Sequence, residues 1–205
     1  MIDISIRPRE GIMKRIRFLL SGLALALGLS VSAHGALVDM GDGTIYDTAT
    51  QLTWLKNANS AGMMTWSQAV AWAASLNSGS GFAGLKGWRL PVTSQPDATC
   101  LDQATPGVSF PAQGHGYNCT GSEMGYLYYI SLGNAAGGLV TNSGPFTNIR
   151  KNFYWSGTEY APIATHAWSF LLRNGFQYYN LKTYSYYAWP VRPGARTESK
   201  PVSKK

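Results

Sequence analysis

Histidine is almost missing from this chain of 205 residues, with only His34, His115 and His166 present. None of the three lies in a recognisable motif, and nucleophilic catalysis needs a nucleophile, a base and an orienting group together. Cysteine is scarcer still, with Cys100 and Cys119 alone. Two cysteines without a CxxC or HxxxH pair supply too few ligands for a metal site. There is no phosphate-binding GxxxxGK loop,. No apolar run reaches the ~20 residues needed to span a bilayer. Internal repeats and interdomain linkers are also absent from the body of the chain. These gaps lead us to expect no cofactor, no metal and no catalytic residue. A glycan-acting enzyme stays as the alternative, because Glu123 and Glu159 could form a carboxylate pair. Each has a simpler use: Glu123 suits the first turn of a helix, and Glu159 an ion pair with an arginine.

The apolar run that does exist is short. MKRIRFLLSGLALALGLSVSAHGA (13–36) has a basic start, an apolar stretch from Phe18 to Leu29 and small residues after it. That is the layout of a secretory signal peptide. Residues 1–36 are therefore read as a signal segment cleaved near Ala33 to Ala36, with the true start at Met13. The expected location is outside the cytoplasm: periplasm, cell surface or medium, with no stable membrane insertion after cleavage.

Charge is sparse and unevenly placed. The formal net charge is +7, from 17 basic and 10 acidic residues. Five of the basic and two of the acidic residues precede residue 37, which leaves +4. The tail after Pro193 holds +3 of that, so the body 37–193 is close to neutral at +1. A body of that charge lacks the basic face that nucleic acid requires, and no nucleic-acid partner is expected. In an exported chain the even cysteine count favours a Cys100–Cys119 disulfide, with His115 exposed inside its loop.

Tryptophan and tyrosine are what the chain has in quantity, 19 in all. They read mainly as core with polar tips, a minority being exposed where they could stack on sugars. LVDMGDGTIYDTATQLTWL (37–55) reads as short strands with turns at Asp42-Gly43 and Asp47–Thr50,. The carboxylates Asp39, Asp42 and Asp47 lack the alternate spacing and closing glutamate of a calcium loop, and serve the turns instead. TWSQAVAWAASLN (65–77) predicts a helix with a Thr65/Gln68 capping box and an apolar face of Trp66, Ala69, Val70, Ala73 and Leu76,. A second helix is predicted over 122–133, capped by Ser122 and stopped at Gly133-Asn134,. Strands follow from Asn152, with a tight hairpin at Asn174-Gly175,. YSYYAWPVRPG (184–194) reads as the last strand, and 194–205 as a disordered basic tail,.

These segments occur in a known order. LVDMGDGTIYDTATQLTW, TWSQAVAWAASLN, GWRLP, FYWSGTEY, AWSFLLRNGFQYYN and YYAWPVRP together resemble the Lcl C-terminal domain family, a bacterial domain of unknown function, over 37–193. The RLP core and the closing aromatic–Val–Arg strand are also similar to formylglycine-generating enzymes and the C-type lectin-like fold. The resemblance implies a loop-rich α+β domain: two helices flanking short antiparallel sheets, with the first and last strands close together. The copper-binding cysteine pair of the formylglycine-generating enzymes is replaced here by Phe, Tyr and Trp, so that activity does not carry over. Two departures stand out: Gln51 where family members usually carry Gly, and VTSQPDATC (92–100) opening a cysteine loop where many continue into a helix.

The resemblance implies a framework role for Trp88 and Arg89. Trp155, Trp168, Trp189 and Arg192, which lie in the matching segments, are read the same way. An arginine's five donors can tie several loops together, and Glu159 or Asp47 is the expected partner of Arg89. Known family members act as adhesin domains that bind host glycosaminoglycans, sometimes as trimers. Without a collagen-like stalk and with a near-neutral body, this chain is expected to be a non-enzymatic binding module. Its partner is expected to be a neutral glycan or a surface protein, with the trimer left open. In C-type lectin-like folds the long loops before the final hairpins form the recognition surface. That places the candidate ligand contacts at Arg150 and Lys151, beside GNAAGGLVTNSGPFTNIR (133–150), and at Arg173, Asn174 and Tyr178 of the hairpin,.

Overall fold

A computed structural model describes residues 35–101 and 114–195. Residues 1–34, which hold most of the expected signal segment 1–36, the cysteine-loop residues 102–113 and the tail from residue 196 lie outside the described residues. Along the chain come β1 (Leu37–Asp39), β2 (Thr44–Asp47), β3 (Leu52–Leu55), β4 (Met63–Met64) and helix α1 (Trp66–Ser75). Helix α2 (Glu123–Tyr126) follows, and passes directly into a π-helical turn, Leu127–Ser131. The remaining strands are β5 (Phe153–Glu159), β6 (His166–Leu171), β7 (Phe176–Leu181), β8 (Tyr186–Tyr187) and β9 (Val191–Pro193). The fold is mixed α and β with two short helices.

Aspartates shape the first sheet. Asp39, Asp42 and Asp47 each accept a backbone N–H two residues on, from Gly41 (3.0 Å), Thr44 (3.1 Å) and Ala49 (2.9 Å). Their side chains thus close the turns between β1, β2 and β3. Gln51 adopts the left-handed conformation (φ 56°), so the β2–β3 turn keeps a geometry that favours glycine,. The sheet order is β1-β2-β3-β9, all antiparallel, with Trp54 opposite Val191. The first and last strands therefore share a sheet but stand at its two edges. Beyond β9, Arg89 exchanges two backbone hydrogen bonds with Val191 (2.9 and 2.8 Å), so GWRLP covers that edge.

The second sheet has the order β4-β8-β5-β6-β7. Its contacts are antiparallel except β5 with β8, which meet in parallel at Tyr154 and Tyr187, so the expectation of purely antiparallel sheets is corrected. A break in register between Trp155 and Glu159 marks a bulge in β5,.

Helix α1 starts at the predicted capping box: Thr65 N–H donates to Gln68 Oε1 at 2.9 Å, and the Thr65 side chain takes the reciprocal bond. Its buried face is rotated from the expected one. Ala69 and Ala73 are buried, Trp66, Trp72 and Leu76 half-buried, and Val70 is 38% exposed. The two alanines let the helix approach Trp155, Ala167 and Ala188, and Trp72 reaches both this cluster and the main core. The second helix ends its α-helical part at Tyr126, well short of residue 133. Ser122 stands at its N-cap position, but its hydroxyl donates to Asp97 Oδ2 (2.7 Å) and caps no helical N–H. Gly125 in this helix is required by close approach: a Cβ there would lie 1.8 Å from the Cys119 carbonyl oxygen.

The main core gathers around Trp189, whose ring contacts Trp54 (5.4 Å), Phe146 (4.8 Å) and Tyr154 (5.8 Å) and whose indole donates to Leu55 O at 2.7 Å. Ile45, Leu127, Tyr128 and Phe170 complete it. Among the described residues no helix is long and apolar enough to cross a membrane.

Candidate functional site

Two features on the described surface hold chemistry, and the first centres on Arg89. Its guanidinium donates from Nη1 to Glu123 Oε2 and from Nη2 to Glu123 Oε1, both at 2.7 Å, and from Nη1 to Leu90 O at 3.0 Å. Glu123 Oε2 also accepts the Val92 N–H at 2.7 Å. The side chains are 38% and 20% exposed. The expected partners of Arg89, Glu159 and Asp47, are thus replaced by Glu123, which the fold brings from the start of α2. Hydrogen bonding to Glu123 raises the Arg89 pKa against the lowering effect of burial, so the pair stays charged,. Asp47 is buried and accepts from Ser131 Oγ at 2.6 Å. Glu159 pairs with Lys182 (3.0 Å) where an arginine was expected. That lysine also donates to Ala164 O and lies 4.6 Å over the Trp66 ring.

The Arg89–Glu123 pair stands between two clefts. One, about 360 Å³, is lined by Glu123, Tyr126 and the hydroxyl-bearing Thr50, Thr120 and Ser122. The other, about 240 Å³, is lined by Arg89 among mainly apolar side chains. Neither places Glu123 and Glu159 together. Both Glu123 oxygens already accept charged or backbone donors.

The second feature is a row of aromatic rings along β7, the edge strand of its sheet. Phe176 and Tyr178 lie 5.8 Å apart at 21°, Tyr178 and Tyr179 4.6 Å at 14°, and Tyr179 and Tyr160 3.8 Å at 1°. Tyr117 tilts onto Phe176 at 5.0 Å. His115 is half-buried, not exposed as expected, and stands edge-on to Tyr178 (6.0 Å) and Tyr179 (6.4 Å). His166 meets Tyr179 edge-on from the other side of the sequence, at 5.8 Å. Rings stacked on one another cover each other's faces, and the three rings of β7 are half-buried. Partial burial, then the neighbouring tyrosine, raises the pKa of Tyr178 and Tyr179, which keeps both phenols protonated and able to donate.

The five expected contact residues fall in two places. Arg173 and Asn174 sit in the β6–β7 turn, where their carbonyls accept from Val140 and Gly137. Lys151 runs beside that turn, because Leu172 N–H donates to the next residue's carbonyl, Asn152 O. Arg150 and Lys151 are exposed, with Arg150 N–H donating to Tyr154 Oη at 2.8 Å. Tyr178 lies further along β7, opposite Ser169 and within the aromatic row. The neighbouring stretch is ordered by Asn134, whose Oδ1 accepts from Thr141 and Asn142 N–H (3.0 Å each). Sequence reasoning singled out Tyr178 but missed Tyr117, Phe176 and Tyr179. The run Phe-Gln-Tyr-Tyr on an edge strand was the signal available.

A Cys100–Cys119 disulfide fastens the loop that carries His115 and Tyr117. Asp97 lies close to both sulfurs, and its carboxylate accepts from Thr99 N–H (3.1 Å) and Ser122 Oγ (2.7 Å). The disulfide takes up the only sulfur ligands that cluster could offer. Trp88 is fixed by its indole on Leu85 O (3.0 Å), Trp155 on Met64 O (3.0 Å), Trp168 on Gln95 Oε1 (3.0 Å) and Arg192 on Lys86 O (2.7 Å).

A disulfide-fastened α+β domain with a tyrosine-rich edge strand is the class that these features define. The chain belongs to the Lcl C-terminal domain family, whose model matches residues 43–192. Comparison with curated proteins and with solved structures found no match in either.

Proposed function

We propose that the domain is an exported, non-enzymatic binding module of C-type lectin-like architecture whose ligand is a neutral glycan. The aromatic row carries this reading. Tyrosine offers rigid, amphipathic contact at low conformational cost, and the protonated Tyr178 and Tyr179 hydroxyls can exchange hydrogen bonds with sugar hydroxyls. The body charge of +1 favours a neutral ligand over a sulfated one. A disulfide suits an oxidising compartment,. Adhesin-like attachment to a surface is the role this reading implies. Glu123 and Glu159, the carboxylates of an enzymatic reading, are each held in an ion pair.

A glycan array probed at low and high salt tests the proposal. Binding to neutral glycans that survives high salt is expected. Binding that salt abolishes would mark a polyanion ligand, and no glycan binding at all would favour a surface-protein partner.

A further inference from the structure

The 240 Å³ groove beside Arg89 is distinct from the aromatic row, and its chemistry is different. Its apolar lining is Val70 and Ala74 of α1 together with Trp88, Leu90 and Val92. Val70 and Val92 are 38% and 45% exposed, so the rim itself is apolar. The polar lining comes from Arg89 and from Gly157 and Thr158, which lie in the bulged part of β5,.

Arg89 has donors to spare. Of its five N–H groups, three are used on Glu123 and Leu90. The Nε–H and one Nη2–H have no hydrogen-bond partner among the described residues. Thr158 Oγ1 accepts the Thr93 N–H (3.0 Å), which leaves its own proton to give. The groove therefore offers donors within an apolar lining, and its complement is an aliphatic group carrying an acceptor. Glu123 already neutralises the guanidinium, so a second carboxylate would meet like charge across it. A neutral carbonyl gains the hydrogen bond without that repulsion.

We infer that this groove binds a leucine-sized acyl amide: the aliphatic side chain of a partner peptide seated between Val70 and Val92, with the adjacent amide carbonyl accepting from Arg89. The volume holds one such residue and not a drug-sized ligand, which commonly needs ~300 Å³ or more. Isolated, the contact is weak; at roughly the efficiency of ordinary ligands a twelve-atom probe binds in the millimolar range.

The test is an NMR titration of the full chain, disulfide intact, with N-acetyl-L-leucinamide. Saturable shifts are expected at the Val70 and Val92 methyls and at the Arg89 Nε–H. Ala74→Phe, on the exposed helix face, should fill the groove and weaken the probe at least tenfold while the fold persists. Leu139→Asp, at another exposed apolar position, should change affinity less than twofold. 4-Methylpentanoate should bind several-fold more weakly than 4-methylpentanamide, which carries an amide in place of the carboxylate. The inference is overturned if those resonances do not respond, if Ala74→Phe binds as well as the parent, or if the carboxylate binds more tightly than the amide. N-acetylglucosamine shifting the same resonances more tightly than the leucinamide would overturn the peptide assignment. It would make the groove a sugar subsite.

Discussion

At the scale of single residues, Arg89 shows how one side chain can be read in two directions. Its backbone extends the first sheet, and its guanidinium holds the start of α2 through Glu123. Arg89→Ala would leave a partly buried carboxylate with one backbone N–H in place of three donors. A loss of about 1.5–3 kcal/mol is expected, discounted for the exposure of the pair. Urea denaturation followed by Trp fluorescence measures it, and Arg89→Lys should recover little, because an ammonium cannot make the paired contact. Tyr178 makes the contrasting case. It is half-buried, and the neighbouring Tyr160 and Trp168 fill the core beneath. Tyr178→Ala should lower affinity for the glycans found on the array by about tenfold or more, with a denaturation midpoint close to that of the parent. A midpoint shift as large as that of Arg89→Ala would assign Tyr178 to the framework and remove it from the site. No choice among Asp47, Glu123 and Glu159 as the partner of Arg89 was legible from spacing. Glu123 is 34 residues away, and only the folded path of the intervening loop brings it in.

Elements were legible to the degree that their cause is local. Asn174-Gly175 does mark the β6–β7 hairpin, but the expected tight turn is corrected to a four-residue connection, 172–175, in which Gly175 and not Asn174 is left-handed. The capping box of α1 and the aspartate turns depend on residues a few positions apart, and their spacing reveals them. The rotation of α1 does not. Val70 and Trp72 are both apolar candidates, and the helix buries more of the larger ring because Ala69 and Ala73 seat it against Trp155. The early end of α-helical geometry in the second helix is equally invisible in its composition. The cysteine loop is the element with the most direct test. Its ends are 19 residues apart, and a closed loop of that size stabilises by about 3 kcal/mol on the chain-entropy estimate,. Reduction under native conditions should lower the unfolding free energy from urea denaturation by about that amount, and the midpoint with it. It should also loosen His115 and Tyr117 against β7, so glycan affinity falls along with stability. A midpoint unchanged by reductant would show that the bridge does not restrain the unfolded chain.

At the scale of the whole molecule, the α+β class and the nearness of the closing strand to the early sheet were legible through the family resemblance. The parallel contact of β5 with β8 needs the third dimension, since nothing local distinguishes a two-residue strand's direction. The core also sets a limit on pH. Tyr154 is buried, and burial pushes its phenol up to about 12; Tyr129 is pushed up to about 12 in the same way. In the unfolded chain these phenols titrate near their ordinary value of 10. Between those values the unfolded chain has released protons that the folded one retains. The contribution is therefore full below pH 10 and lost as pH rises toward 12. For Tyr154 alone the two-unit shift is worth up to about 3 kcal/mol. Alkaline titration should show these tyrosinates appearing together with loss of near-UV circular dichroism. Their ionisation in a still-folded domain would contradict the burial of Tyr154.

The first sheet also governs how the domain bears load. Ala36 is bonded to Thr48, and Gly194 to Gln51, so both ends of the sheet's chain leave beside the same β2–β3 turn. They emerge from opposite edges, three strand spacings apart, or about 14 Å. Tension applied through residues 36 and 194 pulls β1 and β9 away sideways. Their short ladders then break one rung after another instead of resisting in shear all at once. Each rung is weak by itself, so the domain should yield at low force when stretched from its ends. Pulling β6 against β7, whose six-residue ladder runs in register, should require more. Single-molecule stretching along the two axes compares them, and equal rupture forces would refute the unzipping geometry. A binding module attached this way would release its grip by peeling open under tension.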